Sequence, residues 1–320
     1  MKRLLALFLT VLLLFSFSAC SSSDTQSSSD KPANQPTAAP KTPTQAQENT
    51  VPRVSATPEF QELSPSGDLG DYSVEIGELE TIQDYDGNPA ILIGLSFTNN
   101  SSENASVSLS LLCNAYQNGV ELETAFITDS SVYNAQDSLK NVQPGGSISL
   151  KQAYSLTSDT APVEFEVSEA FSFNGNKIGK TFEISDGGVT VLSTAPSGSI
   201  SGEINGFTVS IISYDLTKDY EGKNAILFEL GFTNNIDSST SFMASINVSA
   251  FQDGVELETA FITEDATGHH SNSMLSVKPG AGLPVSVVFV LSNDTSPVQV
   301  EIGDLFGFSS DKIETEITIA

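Results

Sequence analysis

Ten residues, GVELETAFIT, run from Gly119 to Thr128 and recur letter for letter from Gly254 to Thr263. Each copy carries two glutamates two positions apart, Glu121 with Glu123 and Glu256 with Glu258. On one extended strand such pairs share a face at roughly 7 Å. Carboxylates so placed attract a basic partner or a divalent cation. The structural alternative is that they solvate the outer arm of a hairpin and deter edge-to-edge pairing. Residues 129–143 and 264–278, which follow the decamers, agree only at Ser138 with Ser273 and Val142 with Val277. Glu121, Glu123, Glu256 and Glu258 are therefore the candidate binding residues.

Other chemistry-bearing residues point to architecture. DYDGN at Asp84 to Asn88 offers oxygen atoms at alternate positions, as a calcium loop does at its start. The twelfth position is Leu95 where an acidic ligand is needed, and Lys223 replaces Asn88 in the second copy. A plain hairpin is expected there. His269 and His270 are the only histidines; on an extended segment they point to opposite sides, so an exposed loop is expected, not a chelating pair. SSDK at Ser309 to Lys312 fits S-x-x-K but precedes an expected strand, whereas a penicillin-recognising serine opens a helix. Cys113 has Val248 as its counterpart and reads as a small buried hydrophobe. G-x-S-x-G and H-E-x-x-H do not occur. No catalytic residue, metal site or cofactor is expected.

The chain opens MKRLLALFLTVLLLFSFSAC, with two cations, an apolar run and small residues before Cys20. This is a signal peptide over 1–19, too short and wrongly flanked for a membrane span. FSAC resembles a bacterial lipobox, which implies cleavage between Ala19 and Cys20 and a diacylglyceryl group on the Cys20 sulfur. Residues 20–57 are dominated by Ser, Thr, Pro, Gln, Ala and Asn without apolar periodicity, so a disordered tether is expected. The partner expected first is thus a membrane, reached through the lipid from its extracellular face. The formal net charge of −27 excludes a nucleic-acid binder, since no basic stripe is present.

Elements that position the decamers follow from a duplication. An offset of 135 residues, without a gap, aligns DYDGNPAIL from Asp84 with DYEGKNAIL from Asp219, FTNN from Phe97 with FTNN from Phe232, and Pro144-Gly145 with Pro279-Gly280. Two repeats result, over 70–186 and 205–320, joined by a Gly/Ser/Pro-punctuated linker at 187–204. Their periodicity is two. Ile91, Ile93, Leu95 and Phe97 face a core while Leu92, Gly94 and Ser96 face mostly solvent, and a following strand turns Val107, Leu109, Leu111, Cys113 and Ala115 inward. Asp86-Gly87, Asn118-Gly119 and Asp253-Gly254 suit two-residue hairpin turns. About seven strands per repeat and no helix give an all-β fold, with a β-sandwich in each repeat.

DYEGKNAILFELGFTNN, then AFQDGVELETA and Pro279-Gly280, resembles the family called domain of unknown function 5067, and AYQNGVELE carries the likeness into the first repeat. The resemblance implies tandem immunoglobulin-like (telokin-like) sandwiches in an exported Gram-positive lipoprotein, and no activity. The reading is a non-enzymatic surface lipoprotein displaying two domains to bind or adhere to a protein or cell-envelope ligand. Two alternatives stay open: an accessory lipoprotein that senses an extracytoplasmic ligand or cation, and a cell-wall hydrolase.

Overall fold

The structure, a computed structural model, describes residues 63–172, 175–185, 188–262, 268–307 and 309–319. The signal segment, Cys20 and the tether to residue 57 lie outside the described residues. Ala56–Ala320 form one compact unit that contains both repeats.

In the first repeat β1 (Ser66–Leu69), β2 (Tyr72–Gln83), β3 (Pro89–Asn99) and β6 (Ser147–Ser155) make one antiparallel sheet. The facing sheet holds β5 (Val120–Glu121), β4 (Leu111–Gln117), β7 (Val163–Glu169) and β8 (Lys177–Phe182). The second repeat copies this plan. β9 (Ile200–Ile204), β10 (Phe207–Lys218), β11 (Asn224–Asn234) and β14 (Gly282–Val290) form one sheet, and β13 (Val255–Glu256), β12 (Ile246–Gln252), β15 (Val298–Asp304) and β16 (Lys312–Ile317) the other. The chain leaves β3 for the opposite sheet at β4, returns at β6 and crosses again at β7. The pairings β3–β6 and β4–β7 are those of an immunoglobulin-like Greek key. Each repeat is an all-β sandwich with its own core. Phe97, Phe165, Ile91, Ile93 and Leu95 fill the first; Phe228, Phe232, Ile226 and Leu230 lie in the second. Among the described residues no helix is long and apolar enough to cross a membrane.

Three expectations need correction. The strand expected from Val107 begins only at Leu111, because Val107–Ser110 (α1) is a helical turn, matched by Phe242–Ser245 (α2). A helical turn brings positions i and i+4 to one side, so Val107 and Leu111 are buried while Leu109 is 73% exposed. The outer face of β3 is not solvated at Leu92, which is buried with Ala90, Ala125 and Ala153 under Ile127 and Tyr133. The trailing half of the decamer, with Tyr133 after it, folds back over that face. Finally, Asp86-Gly87 is not a two-residue turn. Asp84 N donates to Asn88 O at 2.9 Å and Gly87 N to Asp84 O at 3.1 Å. Only Gly87 has positive φ, at 85°, so Glu221 is tolerated at the equivalent of Asp86. Asn118-Gly119 and Asp253-Gly254 do have positive φ at both residues, as the two-residue hairpin requires.

Residues shared by the repeats outside the apolar core are mostly loop anchors. Buried Asn99 donates from Nδ2 to Glu103 O and Val142 O at 2.7 and 2.8 Å, and Asn234 donates to Ser238 O and Val277 O, both at 2.8 Å. Buried Gln117 accepts from Thr157 N and Ser158 N at 2.9 and 3.0 Å and donates to Ala161 O at 2.8 Å. Gln252 repeats this with Ser292 N and Ser296 O, both at 2.8 Å. Loop backbone that would otherwise be unsatisfied in the interior is thereby paired.

Candidate functional site

The decamer is not one strand. Val120–Glu121 pairs with β4, and Leu122 N still donates to Ala115 O at 2.8 Å. Ser155 N then donates to Glu123 O, Thr124 bridges Tyr154, and Ala125 N donates to Ala153 O at 3.1 Å. Between Glu121 and Glu123 the chain passes from one sheet to the other. The acidic rows expected of a single strand therefore do not form, and the two halves of the decamer serve different surroundings.

In the first repeat the leading half is covered by the second repeat. Val120 bridges Val277, Glu121 N donates to Ser276 O at 2.9 Å, and Lys278 N donates to Gly119 O at 2.8 Å. Ser276–Lys278 thus adds a short strand to the free edge of β5. Glu121 is engaged by its side chain as well, accepting from Ser276 N at 2.8 Å and from Asn114 Nδ2. Gly119, at φ 80°, is where the backbones close up: a Cβ there would lie 2.8 Å from Ala281 Cβ and from Leu192 Cδ2.

Lys278 locks this contact. Its Nζ sits 2.5 Å from Glu164 Oε2 and 2.8 Å from Glu166 Oε1, 4.5 Å from the centroid of the Tyr116 ring. Lys278 and Glu164 side chains are each 12% exposed. Lys177 pairs with the other oxygen of Glu166 at 2.9 Å. Burial pushes the Glu166 carboxyl upward, and Lys278 with Lys177 more than offsets it, leaving its pKa below the ordinary value. Burial also raises the Tyr116 phenol well above its usual range. Cys113, on the same strand as Tyr116, has its thiol pushed up to about 12 by burial, which makes it a poor nucleophile.

The same leading half in the second repeat is open. Val255 is 65% exposed, Glu256 is exposed, and a Cβ on Gly254 would meet nothing within 4 Å.

Both halves of the chain match the family described as "Domain of unknown function (DUF5067)", over residues 47–169 and 177–304. The chain belongs to the DUF5067 family. Among solved structures it is similar to a candidate lipoprotein from Staphylococcus aureus subsp. aureus NCTC 8325, at 13% identity and TM-score 0.31, covering 38% of this chain and 90% of that one. A protein from Enterococcus faecalis, solved by NMR, gives 19% identity and TM-score 0.31, covering 40% and 95%. The serine-rich repeat protein Srr2 of Streptococcus agalactiae gives 14% identity and TM-score 0.17, covering 77% and 92%. No curated protein matches the chain at a significant level.

The trailing half of the decamer ends alike in both DUF5067 repeats. Tyr85 N donates to Phe126 O and Tyr220 N to Phe261 O, each at 2.8 Å, tying the hairpin tip to the decamer's last turn. All four rings face outward: Tyr85 is 67% exposed, Phe126 69%, Tyr220 61% and Phe261 68%. The Tyr85 and Phe126 rings meet edge to face at 5.8 Å between centroids. Exposed carboxylates of Asp86 and Glu123 belong to the first tip's segments, as Glu221 and Glu258 do to the second, where Glu221 pairs with Lys223 at 2.7 Å and accepts from the Tyr220 hydroxyl at 3.0 Å. Asp84 holds its own turn, accepting from Asp86 N at 3.0 Å and Asn88 N at 2.8 Å, and Asp219 does the same for Glu221 N and Lys223 N. Those two aspartates are turn supports, as a plain hairpin requires.

Among the described residues no group of three His, Cys, Asp or Glu side chains is placed to hold a metal. His270 is exposed, but His269 is only half so: its Nδ1 lies 3.0 Å from Glu229 Oε1, which corrects the expectation that both histidines face solvent. Glu229 and His269 replace Gly94 and Asn134 together, so a pair that drifted between the repeats drifted in contact. Ser309 Oγ donates to Asp311 Oδ2 at 2.7 Å and Lys312 pairs with Glu314, so the S-x-x-K spacing assembles no serine-lysine pair. Sequence reasoning missed Lys278 and the aromatic tips. For the tips a signal existed, since Tyr85, Phe126 and their counterparts are large apolar residues retained in polar turns.

Proposed function

We propose that this protein is a non-enzymatic lipoprotein of the extracellular membrane face, displaying two joined DUF5067 sandwiches that bind a cationic polypeptide of the envelope or of a host. The supporting observation is the duplicated tip: both repeats expose a Tyr and a Phe tied by the same backbone bond, with Glu123 and Glu258 exposed on the adjoining segments, while in the second tip Lys223 takes up Glu221. An aromatic face attracts Lys and Arg side chains, and neighbouring carboxylates add to that attraction. Two tips on one chain allow bivalent attachment, which raises avidity without new contacts. The strongly acidic chain would speed encounter with such a partner in low salt. In this reading Glu123 and Glu258 contribute to the tips, whereas Glu121 serves the joint between the repeats.

The test is capture from envelope extract and extracellular material with residues 56–320 as bait. Alongside it runs a bait carrying Tyr85→Ala, Phe126→Ala, Tyr220→Ala and Phe261→Ala. Capture of a basic protein by the first bait and its loss with the second is the expected result; equal capture by both overturns the proposal.

A further inference from the structure

The contact that joins the two repeats leaves both of its halves available again, one on each repeat. On the second repeat the open half is the β13 edge with the outer face beside it. Val255, Glu256 and Phe251 stand where Val120, Glu121 and Tyr116 stand in the occupied copy. On the first repeat the open half is the loop 141–144, equivalent to Ser276–Pro279. Asn141, Gln143 and Pro144 are exposed, whereas Ser276, Lys278 and Pro279 are half-buried against the first repeat. Val142 is held by a bridge to Ala105, and Val277 by one to Thr240, so the free loop has the shape of the docked one.

Charge at the two open halves has changed in step. Where the internal contact sets Lys278 against Glu164 and Glu166, the free loop carries Gln143 and the free face carries Gln299 and Glu301. Removing the cation alone would have left two carboxylates facing an uncharged loop. Instead one cation and one carboxylate are both replaced by glutamine, an uncharged pair able to hydrogen-bond to each other.

We propose that a second copy of this chain docks here, its loop 141–144 adding to the β13 edge as Ser276–Lys278 adds to β5. The same step that carries the first repeat onto the second then carries the second onto the first repeat of the next copy. Such a contact is heterologous, so copies line up head to tail. Exposed strand edges pair in this way readily. The contact between copies is weaker than the one within a chain, because the linker supplies two further bonds only internally. These are Ser193 N to Asn118 O at 2.7 Å and Val191 N to Asn118 Oδ1 at 3.1 Å. Confinement of lipid-anchored chains to one membrane raises their local concentration and favours a weak contact. The inference stands apart from the aromatic tips and is tested without any ligand.

The experiment is sedimentation velocity on residues 56–320, from about 1 μM to about 1 mM, a range that brackets weak association. The native chain should sediment faster as concentration rises. Gln143→Lys with Gln299→Glu, which rebuilds the internal ion pair across the contact, should tighten association by about tenfold or more. Val255→Asp, at an exposed position, should remove it. Gln143→Glu, which opposes Glu301, should also remain monomeric, yet mixed with Val255→Asp it should form dimers and nothing larger. Monomers throughout in both the native chain and the Gln143→Lys, Gln299→Glu variant would overturn the proposal. So would association that survives Val255→Asp, or an edge that accepts an added extended peptide while copies stay apart.

Discussion

Replacing Lys278 by methionine keeps most of the side chain's length and removes its charge, leaving Glu164 and Glu166 facing each other without their shared partner. At an effective dielectric of about 20, two unit charges about 4 Å apart attract by about 4 kcal/mol. Lys278 makes two such pairs, at 2.5 and 2.8 Å, with Glu164 and Lys278 each 12% exposed. Desolvation of the three groups takes back most of that gain. The expected loss of coupling between the repeats is therefore about 2–3 kcal/mol. The assay is a double-mutant cycle of Lys278→Met with Glu164→Gln, read by urea unfolding, with small-angle scattering on each variant. Scattering from the single lysine variant should report a broader spread of inter-repeat distances while both sandwich cores persist. Acid should act in the same direction. Glu166 has a folded-state pKa below its ordinary 4.5, so its contribution is complete above that value and is lost as pH falls through the lowered one. A coupling energy under about 0.5 kcal/mol with unchanged scattering would refute the reasoning, since that is the worth of an exposed pair.

Further predictions concern single residues. Gly254→Ala should cost about 1–2 kcal/mol from its positive φ alone, whereas Gly119→Ala adds a clash with Ala281 and Leu192 and should also loosen the repeats; circular dichroism melts and scattering separate the two. Gln117→Leu should destabilise the first sandwich by about 3 kcal/mol by orphaning loop backbone groups, and an unshifted melting curve would count against the anchor role. Cys113, half-buried at the edge of the first core, should resist a thiol reagent at pH 8 in the folded chain and react fully in urea; rapid labelling without denaturant would contradict its raised pKa.

How much of this was legible beforehand depends on what each residue's parity could report. The tandem repeat was plain because both copies align without a gap, and β3 was plain because Ile91, Ile93, Leu95 and Phe97 keep strict alternation into one core. The change of sheet within the decamer left one sign: Val120 and Leu122 share a parity that Ala125 and Ile127 then break. The helical turn at Val107 was hidden because four residues of alternating type satisfy either period. Lys278 could be seen to replace Gln143, but its partners lie 112 and 114 positions away. Nothing local specifies a contact at that range. The covered face of Leu92 was misjudged for the same reason, as its cover comes from Ala125, Ile127 and Tyr133.

The measurement that bears most directly on the account is capture with a graded set of baits: native residues 56–320, each repeat's tip removed singly, and both removed. Graded loss is predicted, with either single-tip bait retaining the partner less well than the native chain and the double variant releasing it entirely. Equal retention by all four baits would contradict the claim that the paired tips are where this protein meets its ligand.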